Sequence, residues 1–328
     1  MDLPKLGSLG VSGKKVLLRL DLDTNPDPND LRIKASFETL DYLKEKSALE
    51  IIILAHKGRP TPEATAGETT LKNPDLSLKP FQPIFDKWGA KVEENLRFDP
   101  GEETNDPEFA KKLASLGDIY VNDAFGSSHR EHASIVGIPK LLPHAIGLHF
   151  AKEVENLSKV FESPKRPVVI LISGIKKDKL DMIEPLSAIA DKVLVGGRLP
   201  EFLGDAGLES VRLQSEDKKI IIGNLNQDKE DITLNTIERF TKEIKLAKTV
   251  VLAGVLGKCE DAGHRMGTEK VFTAVASSDT FSIAGGGDTL HVIESMNLEN
   301  KFDWVSVGGG AMLDFLSKKT LPGIEALL

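Results

Sequence analysis

Cationic side chains lie at or near the ends of the strand-like segments in the first half of the sequence. Their positions are Arg32, His56, Arg59, Arg97, His129 and Arg130. Ligands of open parallel sheets bind beyond the carboxyl ends of the strands, so we expect these side chains to converge. A guanidinium makes two parallel charge-assisted hydrogen bonds to a phosphate or a carboxylate. The set therefore predicts an anion-binding site, although each residue taken alone is equally well explained as a solvated charge or an ordinary loop histidine.

Carboxylates accompany this basic set. Asp21 and Asp23 follow the first strand-like segment, Lys15–Leu20, and Asp123 follows a later one, Asp118–Val121. Two roles are open for Asp21. It could hold a substrate hydroxyl, or it could orient one of the arginines.

Glycines take the corresponding strand-end positions in the second half of the sequence. They are Gly174, Gly196, Gly197, Gly254, Gly257, Gly285, Gly286, Gly287, Gly308, Gly309 and Gly310. Glycine lets the backbone approach a ligand closely, and a glycine turn that opens a helix directs free N–H groups at an anion. A single glycine turn would indicate only a tight bend, but five strand ends of this kind predict a nucleotide-binding surface.

Two standard phosphate motifs are excluded at these glycines. In GGGDTL the third glycine of the dinucleotide fingerprint is replaced by Leu290, and in GVLGKC the P-loop spacing is too short and Cys259 stands where Ser or Thr is required. Lys176, Lys177 and Lys179 lie among the glycine turns. They are candidates to neutralise the oxygens of a transferred phosphate, with a solvated charge run as the alternative.

Alternating apolar and amphipathic segments have to position these residues. Strands are predicted at Lys15–Leu20, Glu50–Ala55, Ala90–Glu93, Asp118–Val121, Val168–Ile172, Lys192–Val195, Lys219–Ile222, Thr249–Ala253, Thr280–Ala284 and Trp304–Val307. Helices are predicted at Ala35–Glu45, Glu108–Ser115, Leu234–Leu246 and Thr268–Ser277. Uninterrupted apolar strands that alternate with helices are typical of parallel sheets with right-handed crossovers.

The length of 328 residues exceeds one typical core. We therefore expect an α/β protein of two doubly wound parallel-sheet domains, 1–150 and 151–328, facing a cleft. The segment Gly147–Phe161 is predicted to be a continuous helix that joins them as a hinge. One large α/β domain is the alternative.

Composition excludes several classes of function. The net charge of −8 argues against a general nucleic-acid or membrane-surface binder, so any anion site must be a local basic pocket. The single cysteine, Cys259, allows no intrachain disulfide and fits a reducing, cytoplasmic location. Neither a signal peptide nor a membrane-spanning stretch is expected.

At these residues the sequence resembles the phosphoglycerate kinase family. The motifs that carry the resemblance are RLDLDTN, LRIKA, LAHKGRP, ENLRF and GDIYVNDAFGSSHREHAS in the first half, and IAGGGDT, VSVGGGAMLDFL and LPGIEAL in the second. The resemblance is close through about residue 150 and patchy after it. It implies a monomeric enzyme that transfers a phosphoryl group reversibly from 1,3-bisphosphoglycerate to ADP, giving 3-phosphoglycerate and ATP.

The resemblance also implies which residues bind and react. The phosphoglycerate site would be Asp21, Asp23, Arg32, His56, Arg59, Arg97 and Arg130. Nucleotide contacts would be Gly174, Lys176, Gly196, Gly197, Glu260, Gly285, Gly286, Gly287, Asp288 and Thr289. Asp288 would lie near the Mg²⁺ of the nucleotide. Catalytic roles would fall to Arg32, Lys176, Lys179, Gly286 and Gly309, with helix N–H groups and one of the two lysines on the transferred group.

Several departures from the family pattern bear on the two substrate sites. Asp23 replaces the usual Asn, the two lysines are one residue closer than usual, and LAGVLG replaces a tryptophan-asparagine-glycine-proline stretch. The region between Gly197 and Asp231 is several dozen residues shorter than expected, which leaves the adenine site and the nucleotide preference open. A binding protein of the same ancestry without catalysis is therefore the second hypothesis. A nicotinamide-dependent dehydrogenase is the third, and it lacks its fingerprint.

Overall fold

The chain divides into two compact units in a computed structural model that describes residues 2–60, 74–202 and 219–328. The first unit comprises Met1–Val154 together with Thr320–Leu328, and the second comprises Glu155–Lys319. The sequence-based division differs in two respects, because it placed the boundary after residue 150 and assigned 320–328 to the second domain. Both units are α/β, as predicted.

Within its described residues, the first unit has a five-stranded parallel sheet. Its strands are β1 (Lys15–Arg19), β2 (Glu50–Leu54), β3 (Ala90–Val92), β4 (Ile119–Asn122) and β5 (His144–Ile146). They lie in the order β3-β2-β1-β4-β5. In this register Leu17 of β1 pairs with Ile52 on one side and Tyr120 on the other.

Helices lie between the strands along the described part of the first unit. They are α1 (Leu31–Ala35), α2 (Phe37–Glu45), α3 (Gln82–Phe85), α4 (Pro107–Ala114), α5 (Leu148–Ser158), which continues past Val154, and α12 (Pro322–Glu325). Sequence analysis predicted one helix over Ala35–Glu45, but the chain forms two, because α1 ends at Ala35 and α2 begins two residues later. The helix predicted at Gly147–Phe161 is α5, which is shorter at both ends.

The second unit repeats the same strand order over its described residues. Its strands are β6 (Val168–Ile172), β7 (Lys192–Val195), β8 (Ile220–Ile222), β9 (Thr249–Ala253), β10 (Phe281–Gly285) and β11 (Trp304–Ser306). All pair in parallel, in the order β11-β10-β9-β6-β7-β8. Its helices are α6 (Ile183–Ile189), α7 (Leu199–Phe202), α8 (Leu234–Leu246), α9 (Met266–Ala276), α10 (Gly287–Ser295) and α11 (Gly309–Lys318).

Burial on both sheet faces explains why the strands are apolar throughout. Every residue of β6 and β9 is buried, and the core of the second unit joins these strands to Phe240 of α8 and Phe272 of α9. The first unit has its own core around β1, β2 and Phe81. Burying one such side chain contributes about 1.5–3 kcal/mol, so each unit has the apolar material for an independent fold.

Each sheet has a topological switch point, where the strand order reverses. It lies between β1 and β4 in the first unit and between β6 and β9 in the second. Crevices outside the carboxyl ends of the strands at such points are the usual ligand sites of this architecture. Among the described residues, no helix is both long and apolar enough to cross a bilayer.

Candidate active site

Asp23 connects three loops at the carboxyl end of the first sheet. Its carboxylate accepts a hydrogen bond from the Gly58 amide, 2.7 Å away, and its backbone carbonyl accepts one from Arg32 Nη1. The start of α1 is fixed by Asp30, whose carboxylate accepts from the Arg32 amide at 2.8 Å. Such N-caps contribute about 1 kcal/mol. Arg32 is therefore held at the helix start and directed towards the loop after β1.

Asp21 positions the loop that carries Arg130. One carboxylate oxygen accepts from the Gly126 amide at 2.7 Å, and the other accepts from the Ser127 hydroxyl. The Arg130 amide in turn donates to the Ser127 carbonyl at 3.1 Å. These contacts fix the backbone of the loop, and no described hydrogen bond joins the Asp21 carboxylate to an arginine side chain, so both roles remain open.

Arg97 is a buried cation with unused hydrogen-bond donors. Its side chain is 2% exposed, and Nη1 donates to the Gly58 carbonyl at 2.7 Å. Nε lies 3.0 Å from a Glu103 carboxylate oxygen without hydrogen-bond alignment, and Nη2 has no partner within 2–60, 74–202 and 219–328. Buried charged groups need an opposite charge and matched hydrogen bonds. This guanidinium is therefore prepared for an anion.

Other predicted residues surround Arg97. Burial is the largest cause that lowers the pKa of Arg97, and the charges of Arg130 and Arg59 lower it further. The carboxylates of Glu103 and Asp23 oppose this shift. Arg130 is partly buried and Arg59 is exposed. The structure thus brings the predicted anion-binding residues together at one end of one sheet, and His129 lies on the same loop as Arg130.

His56 is uncharged in this cluster. Burial is the largest cause that lowers the pKa of His56 well below its usual value, followed by the charges of Arg19 and Arg97. The neighbouring His132 has its pKa lowered to about 3 by burial and by Arg19. Both imidazoles are therefore neutral near pH 7, so they can act as hydrogen-bond partners but do not add positive charge.

Sequence analysis missed two residues that position this cluster. Asn95 caps the turn that carries Arg97, accepting from its amide at 3.1 Å, and donates to the carbonyls of Lys57 and Leu76 at 2.7 and 2.9 Å. Arg19 is fully buried and contacts His56 Nδ1 at 2.7 Å. Arg19 ends the strand KVLLR after three apolar residues, but nothing local in that pattern indicates its buried partners.

Lys179 lies at the switch point of the second sheet. Its ammonium donates to the Ser173 carbonyl at 2.5 Å and reaches the Ala253 carbonyl at 3.4 Å, at the ends of β6 and β9. Burial lowers the pKa of Lys179, and the carboxylates of Asp288 and Asp178 oppose that shift. The neighbouring Lys176 is exposed. Of the two candidate lysines, Lys179 has the fixed position.

Glycines around this lysine are required because backbones pack directly against each other. A Cβ at Gly254, whose φ is +123°, would lie 2.1 Å from the Ser173 carbonyl oxygen. A Cβ at Gly197 would lie 2.6 Å from the Gly174 amide nitrogen, and one at Gly309 would lie 2.3 Å from Gly286 Cα. No side chain fits at such distances without a backbone shift. The glycines therefore hold neighbouring strand-end loops together, besides leaving room for a ligand.

The helix α10 begins at the same edge of the second sheet. Gly286 is its N-cap residue with φ of +116°, and Asp288 is exposed in its first turn. Thr289 is fully buried, and its hydroxyl has no hydrogen-bond partner among the described residues. A helix N-terminus with unused donors is suited to a phosphate.

For three of the residues predicted to contact the nucleotide, the structure gives either a steric explanation or no contact with the glycine turns. Gly196 and Gly285 have steric reasons to be glycine, because a Cβ would meet Leu256 Cδ2 at 2.2 Å and Met312 Sδ at 2.7 Å. Glu260 is exposed in the loop between β9 and α9, and no described contact joins it to the glycine turns.

Metal binding by protein groups alone is not indicated. The described residues contain no cluster of three or more His, Cys, Asp or Glu that could hold an ion. A lone carboxylate such as Asp288 still fits Mg²⁺, which is commonly held by one or two carboxylates, waters and substrate phosphates.

Two doubly wound parallel-sheet units define a two-domain α/β protein. The family model described as "Phosphoglycerate kinase" matches residues 6–221 and 211–319. The chain belongs to the phosphoglycerate kinase family. Membership in this family decides against the dehydrogenase alternative.

Relatives match along the whole chain. A phosphoglycerate kinase of Dictyoglomus turgidum is 35% identical over 381 residues, covering 97% of this chain and 96% of the relative. One of Haemophilus influenzae is 34% identical, covering 100% and 98%. The structure of phosphoglycerate kinase from Coxiella burnetii superposes with a TM-score of 0.82 at 28% identity, over 99% of each chain.

The alignments also bear on the shortened region. The 381 aligned positions exceed the 328 residues of this chain, so some positions of the relative have no counterpart here. The two segments matched by the family model overlap at residues 211–221, within the region predicted to be shortened. Residues 203–218 of that region lie outside the described part of the chain.

Proposed function

We propose that this protein is a phosphoglycerate kinase, a phosphotransferase that acts on a carboxyl group. It moves a phosphoryl group between 1,3-bisphosphoglycerate and ADP, giving 3-phosphoglycerate and ATP in glycolysis. Full-length similarity to phosphoglycerate kinases supports the activity. The observation that carries the substrate assignment is the buried Arg97 guanidinium, which has unused donors and lies within electrostatic range of Arg130 and Arg59.

The first unit takes the phosphoglycerate in this proposal. Arg97 and Arg130 bind its anionic groups, and His56 offers a neutral hydrogen-bond donor. Charge-assisted pairs of this kind are roughly twice as strong as neutral hydrogen bonds. The remaining residues of the proposed subsite are Asp21, Asp23, Arg32 and Arg59.

The second unit takes the nucleotide. Its phosphates are proposed to lie against the N-terminus of α10 and the ammonium of Lys179, with glycine turns below them. The proposed contacts are Gly174, Lys176, Gly196, Gly197, Glu260, Gly285, Gly286, Gly287, Asp288 and Thr289. Asp288 would help to hold Mg²⁺, which supplies further neutralisation of phosphate charge when bound.

The reaction asks little covalent chemistry of the protein. In the direction of ATP consumption, the 3-phosphoglycerate carboxylate attacks the terminal phosphorus, and the bond from that phosphorus to the bridging oxygen of ADP breaks. A carboxylate is already ionised at pH 7, so no general base is needed. Charge neutralisation by Lys179, Arg32 and the helix N–H groups at Gly286 and Gly309 would then lower the barrier.

In-line transfer requires the acceptor oxygen and the terminal phosphorus to come into contact, with water excluded. Because the two substrates are assigned to different units, turnover would include a closure step. The helix α5, which spans the change of unit at Val154, is the proposed hinge. A cytoplasmic location and a monomeric state remain predictions, the second of which light scattering can check.

A coupled assay for ATP formation from 1,3-bisphosphoglycerate and Mg-ADP tests the function directly. We expect turnover in the ordinary range for kinases, about 1–100 per second or faster. The second hypothesis, a binding protein without catalysis, is favoured if no ATP forms while calorimetry still detects 3-phosphoglycerate binding.

Arg32→Ala tests the proposed catalytic arginine. We expect kcat to fall at least 100-fold, because a donor that stabilises transition-state charge is worth about 10²–10³ in rate, while Mg-ADP affinity stays within twofold. Steady-state kinetics and calorimetry check both. Arg239→Ala, at an exposed site on α8, is the matched control. A near-normal rate in Arg32→Ala would remove Arg32 from the catalytic role.

A further inference from the structure

A fully buried polar cluster lies behind His56 in the first unit. It consists of Arg19, Glu102, Tyr120 and Ser134, and none of them is measurably exposed. Arg19 ends β1, Tyr120 belongs to β4, Glu102 precedes α4, and Ser134 lies in the turn Ala133–Gly137. The proposed reaction uses none of these side chains, so the cluster needs another explanation.

Arg19 is fixed on several sides. Nε donates to Ser134 Oγ at 2.8 Å, and Nη1 donates to the Leu20 carbonyl. Ser134 Oγ in turn donates to Glu102 at 2.6 Å, and the Ser134 amide donates to the other Glu102 oxygen at 3.0 Å. Tyr120 completes the cluster by donating to the Ser134 carbonyl at 2.7 Å. The Glu102 carboxylate lies 4.0 Å from Arg19 Nη2 and supplies its counter-charge.

The remaining contact of Arg19 determines where His56 carries its proton. Arg19 Nη2 lies 2.7 Å from His56 Nδ1. A guanidinium has only N–H donors, so Nδ1 must be the acceptor and must lack a proton. The single proton of the neutral imidazole is then on Nε2, which has no hydrogen-bond partner among the described residues.

The surroundings also prevent a second proton from binding. The titratable and charged groups that act on His56 are Arg19, Arg97, Arg130 and His132, and each disfavours a positive imidazole. They lie on β1 and on the loops after β3 and β4. His56 therefore lies near three guanidinium groups, with its only acceptor nitrogen already occupied.

We propose that Arg19, held by Ser134 and Glu102, is a positioning residue that fixes His56 as the Nε2–H tautomer and directs that proton at an anionic oxygen of the substrate. The tautomer follows from this chain's own contacts. The identity of the oxygen, on phosphoglycerate, rests on the proposed function. Fixing a ring through the hydrogen bond of its other nitrogen is a general device for histidines.

Nitrogen-15 NMR of the free protein labelled at histidine tests the tautomer without any ligand. We expect the His56 signals to show an unprotonated Nδ1 and a protonated Nε2 from pH 5.5 to 8.5, with no titration between them. A proton on Nδ1, or a His56 signal that titrates near pH 6.5, overturns the proposal.

Ser134→Ala tests the link between the cluster and His56. Loss of the Nε acceptor and of the connection to Glu102 should let the His56 ring populate both tautomers or titrate. Affinity for 3-phosphoglycerate should fall about 3- to 10-fold by calorimetry, which corresponds to one hydrogen bond. Ser282→Ala, at a buried serine of the second unit, is the control and should change neither reading. Unchanged His56 signals and unchanged affinity in Ser134→Ala overturn the positioning role.

The tautomer of His56 and the binding of 3-phosphoglycerate can be measured independently. If the wild-type protein does not bind 3-phosphoglycerate, the proposed function fails while the tautomer can still be measured. If binding is normal but His56 carries its proton on Nδ1, this inference alone fails. Should Ser134→Ala not fold, the wild-type spectrum still decides.

Discussion

At the scale of single residues, Arg97 combines deep burial with incomplete pairing. Its Nη2 has no described partner, and its pKa is lowered by burial and by neighbouring arginines. A charge left in this state costs stability in the free protein, since desolvation of an ion is expensive unless it is paired. Binding an anion would relieve that cost, which is why affinity should depend strongly on this side chain.

Arg97→Met removes the charge and keeps most of the apolar stem. We expect the affinity for 3-phosphoglycerate to fall by about 10- to 150-fold, because a hydrogen bond to a charged group contributes about 1.5–3 kcal/mol. Calorimetric titration measures it, with Arg239→Met on α8 as the control. An affinity equal to that of the control would show that the anion binds elsewhere.

The residues that follow the strand ends could be predicted from the sequence. The buried residues that hold them in place could not. His56, Arg97 and Arg130 could be selected because each follows a recognisable strand. Arg19 and Asn95 could not, because their importance depends on contacts with residues far along the chain, such as the contact of Arg19 with Ser134. Pairings of this kind are a property of the folded sheet and leave no local pattern.

At the scale of elements, the glycine turns of the second unit depend on close contact between backbones. The first residue of α11, Gly309, packs against Gly286, the N-cap of α10. Sequence analysis assigned these glycines to ligand binding, and the structure adds a steric reason for both. The strand β5 was missed for a related reason, since three residues between Pro143 and Gly147 give too short a pattern.

Gly309→Ala should disturb both helices. The added methyl group would lie 2.3 Å from Gly286 Cα, so the start of α10 must shift. We expect a loss of about 1–3 kcal/mol in unfolding free energy, as for overpacked cores, and weaker Mg-ADP binding. Urea denaturation and calorimetry measure the two effects. Gly263→Ala is the control, because its Cβ would approach only Asp261, at 3.5 Å. Equal behaviour of the two variants would contradict this steric role.

His264 connects two loops of the second unit through paired carboxylates. Its Nε2 and Nδ1 lie 2.9 Å from Asp228 and Asp261, and these hydrogen bonds raise the pKa of His264. The same contacts lower the pKa of both carboxyl groups. Two carboxylates on one imidazole are best satisfied when the ring is doubly protonated.

The stabilisation by His264 should therefore depend on pH. A raised folded pKa means that the contribution is fully present below about pH 6.5 and is lost as the pH rises through the folded value. At low pH it is lost again, once Asp228 and Asp261 become protonated. We expect His264→Asn to lower the urea midpoint more at pH 6 than at pH 9, relative to His291→Asn at an exposed site on α10. A difference that is independent of pH would contradict the pairing.

At the scale of the whole molecule, the chain returns to the first unit at its end. The segment Thr320–Leu328 belongs to that unit, and Leu321, Ile324 and Leu327 are at most 2% exposed. The Gly323 amide donates to the Ser128 carbonyl at 2.9 Å. Sequence analysis did not assign this segment to the first domain, because its apolar pattern does not indicate which core it joins.

Deleting residues 320–328 should destabilise the first unit. Three buried leucine or isoleucine side chains contribute about 1.5–3 kcal/mol each, which is comparable to the total stability of a domain. We expect a much lower thermal midpoint for that unit and loss of 3-phosphoglycerate binding. Deletion of the exposed Leu328 alone is the control. Similar melting curves for the two truncations would show that the returning segment is dispensable.

This return has a consequence for the order in which the protein acquires its structure in the cell. The second unit is continuous from Glu155 to Lys319, so it is synthesised without interruption, whereas the first unit is made in two pieces that flank it. The first unit begins earlier but cannot be completed until Thr320–Leu328, which follows the whole of the second unit, has been synthesised. Domains generally fold as units during synthesis. The half that is made first is therefore the half that is finished last.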